Sequence, residues 1–83
     1  MRTRKQDLGT RNIIGARVEA RRKELEMKQK DLLQKLKSIG MDINASSLSK
    51  LEGQTRAVAD HELAALSRAL DVSPQWLLGM AAD

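Results

Sequence analysis

The residues best suited to recognition chemistry stand in one short stretch, INASSLSKLEGQTR (43–56). Four small residues open it, and a lysine follows one helical turn later: Asn44, Ala45, Ser46, Ser47 and Lys50. Amide and hydroxyl groups donate and accept hydrogen bonds, and the absence of bulk lets a partner come close, as in the major groove of DNA. Asn is also a strong helix N-cap, so the same residues fit a cap followed by solvated serines. Both interpretations remain open at this point.

Catalytic chemistry finds little support in the chain. His61 is the only histidine, there is no cysteine, and the carboxylates show no metal-binding spacing. Asp60 and Glu62 are typical of acids at the start of a helix, where they interact favourably with its dipole. No glycine-rich phosphate loop is present. We therefore expect no enzyme, no metal and no cofactor, and no small-molecule substrate is evident.

Size and charge narrow the class further. Eighty-three residues make one domain, and abundant Leu, Ala, Lys and Glu with a single aromatic favour helices over sheet. Residues 1–37 hold twelve Lys and Arg against five acids, whereas residues 38–83 hold three against six. This basic half favours an anionic partner, chiefly nucleic acid, although a solvated Lys-rich helix is the alternative.

The sequence offers no targeting or membrane signal. Its apolar runs are a few residues long, far short of a membrane span, and its Arg-rich start lacks the apolar core of a secretory signal. The absence of cysteine fits a reducing compartment. We expect a cytoplasmic protein with no membrane partner.

Apolar spacing and capping residues predict five helices. The first extends from about Asn12 with Ile14, Val18 and Leu25 on its buried stripe, and the second from about Gln29 to Ile39. The third follows a cap at Asn44 and ends near Gly53, the fourth extends from about Asp60 to Leu70, and the fifth from Pro74 to Gly79 after a cap at Ser73. We expect a loose basic arm over 1–11, a domain over 12–80 and a short tail over 81–83.

Four segments, in order, resemble the Cro and phage-repressor type of helix-turn-helix domain, often called the XRE family. They are RVEARRKELEMKQKDL (17–32), LSKLEGQTR (48–56), ELAALSRALDVS (62–73) and PQWLLG (74–79). The resemblance implies an all-α, compact five-helix lambda-repressor-like domain in which a helix-turn-helix binds double-stranded DNA.

The resemblance also implies roles for individual residues. Gln29 would contact the DNA backbone, residues 44–47 and Lys50 would face the bases, and Arg56 would contact a phosphate or remain a free surface arginine. Arg22 and Glu52 would form a structural ion pair that ties the third helix to the first. Lys and Arg on the arm and the first helix would add phosphate contacts.

The chain departs from the family pattern at several positions. The segment KSIGMDINASS (37–47) is about five residues longer than the usual turn, and Leu33 replaces a small alanine. Four departures concern helix ends, where Lys28 replaces a capping Ser or Thr, Glu26 and Asp71 replace glycines, and Gly53 comes one residue early. We expect these changes to alter local geometry and to leave the core intact.

The expected function is transcription regulation, as a repressor that binds a palindromic operator as a homodimer. Leu77, Leu78 and Met80 are candidates for the dimer contact. Burial in the domain's own core is the competing interpretation, and it is the favoured one for Leu77. The alternative function is an antitoxin or co-regulator that acts mainly through protein–protein contacts. That alternative requires a sizeable exposed apolar patch, for which the only candidates in the sequence are Met41, Ile43 and Val58.

Overall fold

The computed structural model describes residues 9–80, so the expected arm lies largely, and the tail wholly, outside the described residues. Five helices and no strand are present in that part of the chain. They are α1 (Gly15–Glu24), α2 (Gln29–Ile39), α3 (Ala45–Glu52), α4 (Asp60–Leu70) and α5 (Pro74–Leu77). The all-α prediction and the five-helix count over these residues are confirmed.

The helices enclose one apolar core. Its buried members come from every helix and from two flanking residues: Ile14, Val18, Leu32, Leu36, Met41, Leu48, Leu51, Ala65, Leu66, Ala69, Leu70 and Leu77. Their three- and four-residue spacing along each helix follows from the helical period. Among these described helices, none has the length and apolar character needed to cross a membrane.

The predicted start of α1 is wrong by three residues. Asn12 precedes the helix, and its Oδ1 accepts hydrogen bonds from the backbone N–H groups of Ile14 at 3.0 Å and Gly15 at 2.7 Å. Gly15 then lies so close to α3 that a Cβ there would be 2.2 Å from the carbonyl oxygen of Leu51. This glycine lets α1 approach the end of α3.

The end of α1 differs from the predicted buried stripe. Leu25 is 37% exposed rather than buried. The helix ends at Glu24, and Glu26 adopts a left-handed conformation with φ 58°, which turns the chain so that Met27 packs against the core instead. Gln54 and Asp71 are also left-handed, with φ 63° and 55°. Gly53 lies one residue before Gln54, so the left-handed position itself is not occupied by glycine.

The long connection between α2 and α3 folds onto the core. Gly40 ends α2 with φ 105°, and the backbone N–H of Met41 donates to the carbonyl of Leu36 at 2.9 Å. Met41 is buried, and Ile43 and Val58 pack against the core. These three residues therefore do not form the exposed apolar patch that the protein-interaction alternative requires. Their spacing reflects core packing.

The last helix is short and packs against α4. The Oγ of Ser73 accepts from the backbone N–H of Trp76 at 3.0 Å, and Pro74 occupies the first helical position, as predicted. Leu77 is completely buried, so it cannot form a dimer contact. Met80, just beyond the helix, is 76% exposed.

Candidate nucleic-acid interface

Helix α3 has a buried face and an outward face made of small residues. Leu48, Leu51 and Glu52 are buried, whereas Asn44, Ala45, Ser46, Ser49 and Lys50 are exposed and Ser47 is half-buried. At about 100° per residue, Ser46 and Lys50 lie opposite the buried face, one turn apart. The most outward line of α3 therefore consists of a hydroxyl followed by an ammonium.

The front of α3 is held by its own cap. The Oδ1 of Asn44 accepts from the backbone N–H of Ser47 at 2.8 Å. This contact satisfies one of the N–H groups that have no partner within the helix. The amide nitrogen of Asn44 is not needed for this contact, so capping does not prevent the exposed side chain from meeting a ligand.

The inner face of α3 is fixed by hydrogen bonds to Glu52, which is 2% exposed. Arg22 donates from Nε to Oε2 at 2.7 Å and from Nη2 to Oε1 at 3.1 Å, and Gln29 donates from Nε2 to Oε1 at 3.1 Å. Arg22 Nη1 also donates to the carbonyl of Met27 at 2.9 Å. One carboxylate thus joins α3 to α1 and to the start of α2, and this two-pronged geometry is the strong form of an ion pair.

The side chain of Gln29 is held between two residues of α3. Its amide donates to Glu52, and its Oε1 accepts from the hydroxyl of Ser49 at 3.3 Å. Its backbone N–H belongs to the first turn of α2, where the helix provides no acceptor and the dipole favours an anion. Gln29 is therefore fixed beside a positive helix end and next to the outward face of α3.

Arg56 is engaged within the chain. Its Nη1 and Nη2 donate to Glu62 at 3.1 and 2.8 Å, and Nη1 also donates to the carbonyl of Ala57. The hydrogen bond from Arg56 holds the pKa of the Glu62 carboxyl below its ordinary value, and the same bond raises the pKa of Arg56. A phosphate at Arg56 has to compete with this carboxylate.

Asn12 joins the segment before α1 to the end of α3, a role that its sequence position did not reveal. Its Nδ2 donates to the carbonyls of Leu51 at 3.1 Å and Arg56 at 2.7 Å, and its own carbonyl accepts from Gln54 Nε2 at 2.7 Å. Residues 9–11 also bond to residues 53–54 through their backbones. In sequence, an asparagine before an apolar run indicates only a helix start, because its partners are about forty residues away.

The basic residues of α1 are committed to contacts inside the domain. The guanidinium of Arg17 lies 5.1 Å from the ring centroid of Trp76, and Arg21 donates from Nε to the carbonyl of Leu70 at 2.9 Å while pairing with Glu24. Arg22 binds Glu52, and Lys23 lies 3.3 Å from Glu19. Three of these cations, Arg17, Arg21 and Lys23, were expected to bind phosphate, whereas Arg22 was expected to pair with Glu52.

The lysines of α2 and α3 differ from those cations. Five are exposed, and none of them pairs with a carboxylate among residues 9–80: Lys28, Lys30, Lys35, Lys37 and Lys50. Five described cations without a carboxylate partner therefore lie on α2, α3 or the cap of α2, whereas on α1 only Arg17 lacks one.

The remaining ionisable candidates form no site. His61 is exposed and lies 3.7 Å from the carboxylate of Asp60, its neighbour in sequence. Within residues 9–80, no group of His, Asp and Glu has the geometry to hold a metal ion.

Comparison with known proteins identifies a family for the chain. A model of the Cro/C1-type HTH DNA-binding domain matches residues 17–83. Among solved structures, the P22 c2 repressor protein in complex with synthetic operator 9T, in the presence of Tl+, is similar with a TM-score of 0.69 and 30% sequence identity. The match covers 84% of this chain and 98% of that chain. No curated protein matches the sequence.

Proposed function

The chain belongs to the Cro/C1-type helix-turn-helix DNA-binding family, and we propose that it is a transcriptional repressor that binds a palindromic operator as a homodimer. The observation that carries this proposal is the contrast between the two faces of α3. Its inner face is locked to α1 and α2 through Glu52, while its outer face carries only small residues and one lysine. A rigid helix with an unobstructed outer face fits the major groove.

We assign base contacts to the outward residues of α3. Ser46 and Lys50 lie furthest from the core, and lysine can donate to the O6 and N7 acceptors of guanine. Asn44, Ala45 and Ser47 border this line at the front of the helix, where an amide, a methyl and a hydroxyl can contact base edges. The P22 c2 repressor is described in complex with an operator, which supports such a binding mode for a related fold.

Phosphate contacts would position the helix in the groove. Gln29 can present its backbone N–H and the second hydrogen of its side-chain amide to a phosphate while keeping its contact with Glu52. Arg56 can contribute a second contact after exchanging Glu62 for a phosphate. This exchange replaces the two charge-assisted hydrogen bonds to Glu62 with charge-assisted bonds to the phosphate.

A dimer is proposed because one domain of this size presents few base contacts. Two copies with two-fold symmetry would read two half-sites separated by about 34–36 Å or a multiple of it. Met80 is the exposed member of the three residues expected at the dimer contact, and Leu78 lies half-buried beside it. We assign the contact to this end of the domain.

Selection from a random duplex DNA pool tests the proposal directly. We expect a recurrent motif with two inverted half-sites at a fixed spacing, and sedimentation of the complex should show two chains per duplex. Enrichment without any motif would contradict sequence-specific binding, and a single half-site with one chain bound would contradict the dimer.

Substitutions on α3 test the assignment of base contacts. Lys50→Ala and Ser46→Ala should each change preference at particular base pairs, by about 1–3 kcal/mol where the contact is bidentate. Ser38→Ala is a matched control. This exposed serine lies near the C-terminal end of α2, and its hydroxyl donates to the carbonyl of Lys35. Base-preference profiles that stay unchanged in both α3 variants would refute the assignment.

A further inference from the structure

We propose that Lys30 and Lys37 form a second phosphate-binding row on α2, which holds the DNA strand that lies along the α2 side of the recognition helix. This inference rests on the proposed function and adds two residues to which neither the family resemblance nor the local sequence pattern assigns a role.

The position of Gln29 shows which side of α2 faces α3. Its amide group contacts both Glu52 and Ser49, so α3 packs against the side of α2 on which the Gln29 side chain lies. At about 100° per residue, Lys30 and Lys37 are rotated by about 100° and 80° from Gln29 in one direction. Both lysines are exposed, and we assign this solvent-facing edge of α2 to the side that borders α3.

The buried stripe of α2 separates two flanks. Leu32 and Ile39 are rotated from Gln29 in the other direction, Leu36 lies close to the direction of Gln29, and Leu33 lies about 40° from it on the lysine side; all four are buried or pack against the core. Lys35 lies beyond Ile39, about 120° from Gln29, on the flank across this stripe from Lys30 and Lys37. The helix therefore carries lysines on two flanks, and only one flank borders the proposed DNA surface.

The outward face of α3 borders the same edge. Ala45 and Ser49 lie on the side of α3 that faces α2, since Ser49 donates to Gln29. Duplex DNA that contacts Ser46 and Lys50 would bring one strand past this side and thus past Lys30 and Lys37. These lysines are separated by seven residues, or about 10.5 Å along the helix.

The ion pairing of nearby cations supports the assignment of Lys30 and Lys37 to phosphate binding. Lys30 and Lys37 pair with no carboxylate among residues 9–80, and the nearby Asp31 is engaged by the backbone N–H of Lys28 at 2.9 Å. Arg56, by contrast, is neutralised by Glu62. The α2 edge thus offers cations whose binding to phosphate breaks no ion pair in the described chain.

Single Lys→Gln variants test the row, with Lys35→Gln as a control of equal charge change on the far flank. Binding would be measured by fluorescence anisotropy on an operator obtained by selection and on a scrambled duplex, between 50 and 200 mM KCl. Lys30→Gln and Lys37→Gln should each reduce the magnitude of the slope of log K against log salt by about 0.9. Between 50 and 200 mM KCl, the ratio of wild-type affinity to variant affinity should fall about 3.5-fold, and it should fall equally on both duplexes. Lys35→Gln should keep the wild-type slope.

Charge-conserving variants and a stability measurement complete the test. Lys30→Arg and Lys37→Arg keep the charge and should retain the wild-type slope, and thermal melts should show that every variant is folded. Equal slope changes in all three Gln variants would indicate a general charge effect and overturn the row, as would unchanged slopes. A wild-type protein that does not distinguish the two duplexes refutes the proposed function itself, whereas selective wild-type binding with unaltered variant slopes refutes only the α2 row.

Discussion

The ion pair between Arg22 and Glu52 permits a quantitative test of how α3 is held. Glu52→Leu keeps a similar volume but leaves the guanidinium of Arg22, a residue 7% exposed, without its carboxylate. Removing one partner of a buried pair costs about 3–5 kcal/mol. A domain of this length has a free energy of unfolding of about 4–12 kcal/mol, at roughly 0.05–0.15 kcal/mol per residue. The variant should therefore lose a large part of its stability.

The same physics predicts a different result for the double variant. Arg22→Met with Glu52→Leu removes both charges and leaves apolar side chains in their place, which in other proteins is often neutral or stabilising. We expect each single variant to lose about 3–5 kcal/mol and the double variant to lose much less than their sum. Gln29 loses its acceptor in the double variant, so DNA affinity should fall even where stability recovers.

Urea unfolding monitored by circular dichroism measures these free energies without screening the charges. A loss of about 3 kcal/mol corresponds to a fall in Tm of at least about 12 °C for a domain of this size. A single variant that stays within about 0.5 kcal/mol of wild type would show that the pair does not hold α3. Single losses that simply add in the double variant would show the same, since additivity would mean that Arg22 and Glu52 act independently.

Three further predictions follow from local geometry. Glu26→Gly should raise the free energy of unfolding by about 0.5–1 kcal/mol, because glycine adopts φ 58° without the left-handed strain of other residues. The greater freedom of glycine in the unfolded chain offsets part of this gain. A lower urea midpoint than that of wild type would contradict the prediction. Asn44→Ala should cost about 1 kcal/mol through loss of the cap, whereas Asn44→Asp should keep stability and weaken DNA binding through repulsion of phosphate; equal stability of both variants would exclude the cap as a contributor. Because hydrogen bonding to Arg56 lowers the pKa of Glu62, this pair adds stability that is present above the ordinary glutamate pKa of about 4.3 and is lost as pH falls through the lower folded value. Glu62→Gln should therefore be less stable than wild type at pH 7 and show a flatter acid limb in thermal melts, and identical acid limbs would refute the linkage.

Local sequence signals determined the helices and much of the candidate surface. The cap at Asn44, the Ser73 and Pro74 pair and the glycine at position 40 mark helix ends through contacts within four or five residues. The buried leucines of α2, α3 and α4 recur three or four positions apart in the sequence, because a helix brings residues at that spacing onto one side. The outward small residues of α3 follow from that pattern by elimination.

Tertiary structure decided which polar groups are already engaged. Arg21 binds Leu70, Asn12 binds Leu51 and Arg56, and these partners lie 39 to 49 residues apart in the chain. No local spacing encodes such contacts, so the sequence assigned Arg21 to phosphate and Asn12 to a helix.

The same limit applies to side chains outside the helices. Leu25 extends the apolar stripe of α1 but is exposed, whereas Met41 and Ile43 lie in an irregular connection and cover the core. Their burial depends on where a neighbouring helix lies, which the chain acquires only when its elements pack together. The sequence alone therefore determined which helices form and which face of each is apolar. Packing decided which of the remaining charges and apolar groups stay free to meet a partner.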